Sequence, residues 1–250
     1  MSISDYEKAY KLGKKEYQQR MWHGEKPTLL VLDDILPSKG SYAEVPLGLV
    51  QIPLEQIAGT KNNGRSNAFA RNFMPILEQE SEFARKWSFL STAVEENGLR
   101  DPIKAYEYMN KFYVEEGNKR VSVSKFFGGI SIPGTVTRLI PKPTEDTENK
   151  IYYEFLDFYK ASNINYIWFT KEGSFTKLQE LVKKAPDEIW SDDDRMNFYS
   201  IYYRFKKEYE SKNTDLSITT GDAFLSFMEV HGYENICNFY SNELKKKISN

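Results

Sequence analysis

Residues Tyr113-Val114-Glu115-Glu116-Gly117-Asn118-Lys119-Arg120-Val121 hold the densest arrangement of chemistry in the chain. The run from Phe112 to Glu115 predicts a strand and the run from Asn118 to Phe127 a short helix. Gly117 between them permits a sharp turn. The first N–H groups of a helix lack carbonyl partners, and with the helix dipole they favour an anion. Lys119 and Arg120 add full positive charge, and a guanidinium can grip two phosphate oxygens at once. The pattern fits a phosphate cradle, and it fits equally well an ordinary strand-to-helix corner with solvated basic residues. In the cradle, Arg120 makes the stronger contact, because the Lys119 ammonium is a point charge on a flexible stem.

The elements around this turn follow from hydrophobic spacing. Ser4 and Glu7 form a capping box, and Tyr6, Tyr10, Gly13, Tyr17 and Met21 mark one face of a helix ending near Gly24. Extended chain follows from Val45 to Ile57, then the polar loop Gly59 to Asn67, which carries Arg65. Pro75 is expected to start a helix that Gly98 stops. Pro102–Tyr108 and Phe112–Glu115 read as a hairpin about Met109-Asn110-Lys111, and Ile130–Ile140 as a further strand. Residues 141–149 have the composition of a linker. Beyond them the pattern is mainly helical, with Ile164–Phe169 as an extended segment and helices at 152–159, 175–182, after Ser191, at 220–231 and at 234–247. Three regions are expected: an N-terminal helical extension (1–40), an α/β domain (41–143) and a mainly helical C-terminal domain (150–250).

Composition excludes several classes. The single cysteine, Cys237, cannot form an internal disulfide, and the two histidines form no zinc-type cluster, so a reducing, cytoplasmic setting is expected. The charged N-terminus does not read as a signal peptide, and the longest apolar run, Leu29–Leu32, is too short to span a bilayer, so no membrane association is expected. A net charge of −2 argues against coating nucleic acid. Residues 41–142 carry 13 Lys/Arg against 11 Asp/Glu, an excess that suits a pocket better than a long DNA track.

The order of boxes resembles the N-terminal domain of the ParB family, which shares its fold with sulfiredoxin. Ile52-Pro53-Leu54-Glu55-Gln56-Ile57 is similar to that family's first strand, with Arg65 in the loop after it. Gly98-Leu99-Arg100-Asp101-Pro102-Ile103 matches its second box, and Glu116-Gly117-Asn118-Lys119-Arg120 its third. Ile132-Pro133-Gly134-Thr135-Val136 fits the closing strand. The resemblance implies a small mixed α/β domain over residues 45–142 that binds CTP or ATP, with Mg²⁺ as a companion ion. Arg65, Gly117, Asn118, Lys119 and Arg120 would hold the phosphates, and Glu116 would be the magnesium ligand or base, with its metal ligands otherwise unassigned. It leaves open whether the nucleotide is turned over by hydrolysis or phosphoryl transfer. Asn118 and Lys119 stand where sulfiredoxin keeps its reactive cysteine, which argues against sulfinic-acid repair. The operator-reading helices of ParB proteins have no counterpart, which argues against chromosome partition.

Other features read as structure. Asp192-Asp193-Asp194 follow a serine cap, where the helix dipole favours acids. His23 and His231 each neighbour a glycine at a helix end. The helices around Gly232 lack a basic recognition surface, and Tyr199, Tyr202, Tyr203 and Tyr209 fall at core spacing. The leading reading is a nucleotide-binding regulatory module. The alternative is a DNA-associated regulatory or nuclease-like protein using the same basic box on the phosphodiester backbone, and the third is an interaction module without a ligand. A homodimer or a fused partner domain is compatible with each.

Overall fold

The computed structural model describes residues 3–37, 41–98, 101–212 and 218–248, with the side chains of residues 3, 4, 65 and 241–248 outside that description. The chain divides into two compact units, Met1–Lys142 and Pro143–Asn250. The first is mixed α/β and the second mainly helical.

In the first unit, helix α1 (Ile3–Trp22) precedes strand β1 (Leu30–Val31) and the one-turn helix α2 (Leu32–Ile35). Strands β2 (Tyr42–Pro53) and β3 (Ile57–Thr60) lead to helix α3 (Glu82–Asn97). Strands β4 (Ile103–Tyr108) and β5 (Lys111–Glu116), helix α4 (Asn118–Phe126) and strand β6 (Ser131–Pro141) complete the unit. The sheet order is β1-β3-β5-β4-β6-β2. β1, β3 and β5 run parallel to one another, β4 is antiparallel to β5 and parallel to β6, and β2 lies antiparallel on β6. The β4–β5 hairpin turns through Met109 and Asn110, both at positive φ, as a tight hairpin of right-handed strands requires.

Period-two alternation builds the core. Ile103 and Ala105, Phe112 and Val114, and Ile132 and Val136 point to one face and pack with Leu54, Phe69 and Val121. Arg138 and Glu107 occupy the next positions in the same alternation, are Cα partners across β4 and β6, and pair with each other in the interior. At the outer edge β2 carries a register shift between Pro46 and Gly48, where Gly48 has φ 74°.

Two sequence expectations are corrected here. Residues 1–40 are not a separate extension: β1 pairs with β3 through Leu30 and Val31, and α1 packs Tyr6 and Ala9 against Trp87 of α3. A Cβ added to Gly13 would sit 2.2 Å from the Pro75 carbonyl oxygen, so only glycine allows α1 to approach this closely. Pro75 does not start α3. The Asn72 side chain accepts from the Met74 N–H at 2.9 Å, Phe73 is buried at φ 67°, and Phe69 bridges to Pro75, so a turn occupies this stretch. The helix begins after Ser81, whose Oγ accepts from the Ala84 N–H.

The second unit contains α5 (Thr147–Ser162), α6 (Ser174–Leu181), α7 (Asp192–Lys212), α8 (Thr220–His231) and α9 (Tyr233–Ile248). Its core is aromatic: Phe155, Phe158 and Phe169 surround Phe175, and Trp190, Tyr202 and Phe224 surround Phe198. Tyr202 is buried and Phe205 and Tyr209 half-buried, while Tyr199 stays partly exposed. Asp194 is a helix cap: Ser191 N–H and Oγ and the Lys184 ammonium all donate to it, which holds its carboxyl down to about 2. Among the described residues no helix is long and apolar enough to cross a membrane.

Candidate functional site

The carboxyl ends of the parallel strands β1, β3 and β5 lie side by side, the position at which open α/β sheets place ligands. Gly117 follows β5 with φ 111° and ψ 18° and serves as the N-cap of α4. A Cβ there would come within 2.6 Å of Ile103 Cγ2, so both backbone conformation and space demand glycine. The helix starts immediately after it, and the Gly117 carbonyl accepts from Val121 at 3.1 Å.

Asn118 is only 7% exposed. Its Nδ2 donates to Thr60 Oγ1 at 3.3 Å, and Thr60 Oγ1 donates to the Val114 carbonyl at 2.9 Å. The Lys61 N–H donates to the same carbonyl. This chain ties the end of β3 and the end of β5 to the first residue of α4. Because the Thr60 proton is committed to Val114, the Asn118 nitrogen must face Thr60, and Asn118 Oδ1 is left buried without a partner. An acceptor in that state favours a ligand that brings a donor.

The charged residues around the turn are engaged with neighbouring segments. Arg120 donates through Nη1 to the Asp101 and Pro102 carbonyls at 3.0 and 2.6 Å, with Nη2 3.6 Å from Glu116. The guanidinium therefore latches the entrance of β4 onto α4, and in this arrangement its Nη1 donors serve the fold. Lys119 carries its ammonium 4.6 Å from the Phe83 ring centroid, on the side of α3. Glu116 is exposed and paired with Lys104 at 3.2 Å as well as with Arg120. Arg65 lies in the 3₁₀ turn Asn63–Ala68, and its side chain is outside the described residues. Leu99 and Arg100 of the second box are also outside them. Among the described residues no group of three His, Cys, Asp or Glu could hold a metal ion.

No family model and no curated protein matches the chain. Among solved structures it is similar to sulfiredoxin from Arabidopsis thaliana. The identity is 20%, over 35% of this chain and 82% of that one, with a TM-score of 0.26.

Thr60 and Lys125 are the residues of this region that sequence reasoning missed. Thr60 had a signal, a hydroxyl at a strand end before a polar loop; Lys125 had none, because its surroundings come from distant segments. Its Nζ donates to the Ile57 carbonyl at 3.2 Å and lies 4.8 Å from the Phe73 ring centroid. Burial pushes the amine down from 10.5 to about 8, against the pull of Glu55. Between these two values the unfolded chain binds the proton that the folded one has lost, so stability rises with pH across that window. The stability of the wild type relative to Lys125→Met is expected to increase from about pH 8 to about pH 10 in urea unfolding. A difference independent of pH would show that the amine is not desolvated.

Proposed function

We propose that the first unit binds a nucleoside triphosphate, CTP or ATP, with its phosphates against the first turn of α4. The observation that carries this reading is the Gly117 turn: a left-handed glycine with no room for a side chain launches a nine-residue helix at the end of a parallel strand. First-turn N–H groups and the helix dipole supply the phosphate donors. Lys119, whose ammonium lies beside the Phe83 ring, adds full charge to the same turn. Asn118 Oδ1 accepts a hydrogen bond from a hydroxyl or amino group of the same ligand. Glu116 would be the carboxylate of this turn to hold a magnesium ion, which would supply countercharge to the phosphates. Arg120 positions the turn by holding the Asp101 and Pro102 carbonyls.

The test is a thermal-shift screen of the full chain against CTP, ATP, GTP and UTP, each with and without magnesium. A triphosphate at about 100 times its Kd stabilises by about 2.7 kcal/mol, and the unfolding midpoint rises accordingly. Lys119→Ala is expected to weaken binding by roughly tenfold, with circular dichroism showing that the variant is folded. Arg120→Ala is expected to lower that midpoint even without ligand, because it frees two carbonyls. No shift with any triphosphate, or equal affinity for wild type and Lys119→Ala, overturns the reading.

A further inference from the structure

The second unit holds a cavity of about 370 Å³ between α7 and α9. Its size falls in the range of small-molecule sites, about 300–1,000 Å³. Helical spacing builds both walls: Asp194, Ile201 and Arg204 line it from α7, and Tyr233, Cys237 and Tyr240 from α9.

Two donors in these walls are left over by the protein's own bonding. Trp190 is 2% exposed, its ring is wedged against Phe158 and Phe198, and its indole N–H has no acceptor. A buried donor in that state costs free energy that an acceptor would recover. Arg204 stacks 5.4 Å from the Tyr240 ring centroid and donates through Nη1 to the Tyr240 carbonyl at 3.3 Å, its polar partner among the described residues. Of the charged side chains that line the cavity, Lys184 pairs with Asp194 at 2.9 Å, which leaves Arg204; Lys184 also meets Glu188, outside the lining, at 2.7 Å. The surplus is one guanidinium and one indole N–H beside aromatic and aliphatic surface. Burial pushes the Cys237 thiol up, which makes it a neutral part of that surface rather than a nucleophile.

We propose that this cavity is a binding site for a small aromatic carboxylate. The planar carboxylate takes hydrogen bonds from Arg204 and the Trp190 indole, and the ring lies against Ile201, Tyr233 and Tyr240. A single surplus cation in a largely apolar wall suits a singly charged planar anion better than a phosphate. The site is independent of the turn in the first unit.

The test uses the full chain labelled with ¹⁵N, in which the four tryptophans give four indole N–H signals and Trp190→Phe identifies the one from Trp190. Benzoate, with few atoms to contribute contact, is expected to shift the Trp190 signal saturably with a Kd of about 1 mM. Benzamide, its neutral isostere, is expected to bind roughly tenfold or more weakly, and Arg204→Met to weaken benzoate by a similar factor with the other three signals unmoved. Arg204→Lys should fall between, because charge is kept and the planar fork is lost. If Arg204→Met loses all four signals, the benzoate-to-benzamide comparison on the wild type decides. A Trp190 signal unmoved by benzoate, or moved equally by benzamide, overturns the proposal.

Discussion

Arg138→Met is expected to destabilise the first unit by about 3–5 kcal/mol, a large share of the total stability of a domain this size. Glu107 is fully buried and Arg138 is 5% exposed. Arg138 Nε donates to Glu107 Oε2, and the Asn110 N–H donates to the other carboxylate oxygen at 2.6 Å. Removing the guanidinium takes the opposite charge away from a carboxylate in the interior of the sheet, and breaking a buried pair on one side only is strongly destabilising. The double replacement Glu107→Leu/Arg138→Met is expected to recover most of the loss, because a buried pair that is wholly replaced by apolar groups costs little. Urea unfolding, with hydrogen exchange at β4 amides assigning the transition to the first unit, measures both. A single-mutant loss under about 1 kcal/mol would mean that water reaches the pair.

Gly117→Ala is expected to cost about 2–4 kcal/mol, from a left-handed backbone that a side chain resists and from overpacking against Ile103. Ile103 is fully buried and its Cγ2 stands 2.6 Å from the incoming Cβ, so neither partner has free space. Gly128→Ala is the control. Its φ is 71° but nothing lies within 4 Å of an added Cβ, so only the backbone component of about 1 kcal/mol remains. In a Gly117→Ala/Ile103→Ala cycle the losses should combine to less than their sum, since the second change removes the methyl that the first one strikes. Full additivity, or equal losses at Gly117 and Gly128, would place the cost in the backbone alone.

The turn itself was legible because its parts are local: an alternating strand, a glycine and a helix-compatible run within nine residues of one another. The hairpin before it was legible for the same reason. The start of α3 was not, since Pro75 carries a generic helix-start signal while the turn that overrides it depends on Asn72, Phe73 and a bridge to Phe69. The two residues of β1 give no periodicity to read, and their place is set by pairing with β3. The buried ion pair had a readable trace. Ile103-x-Ala105-x-Glu107 and Ile132-x-Gly134-x-Val136-x-Arg138 each end an inward-facing series on a charge, and opposite charges at the ends of two such series predict a partner. What no pattern conveyed was the commitment of Arg120 to the Asp101 and Pro102 carbonyls, because residue type gives charge and reach but not the direction a side chain takes.

Strand β2 closes the sheet on one side with twelve residues of extended chain, including the exposed Leu49. A uniform strand of that length would offer a continuous row of backbone donors and acceptors to any extended segment it met. Pro46 has no N–H to give, and the bulge with its left-handed Gly48 breaks the row near its centre. What remains are two short stretches, Tyr42–Val45 and Leu49–Ile52, each below the usual strand length of about 5–6 residues. The same irregularity that shifts the register against β6 thus guards the protein against fibre growth from its most exposed border.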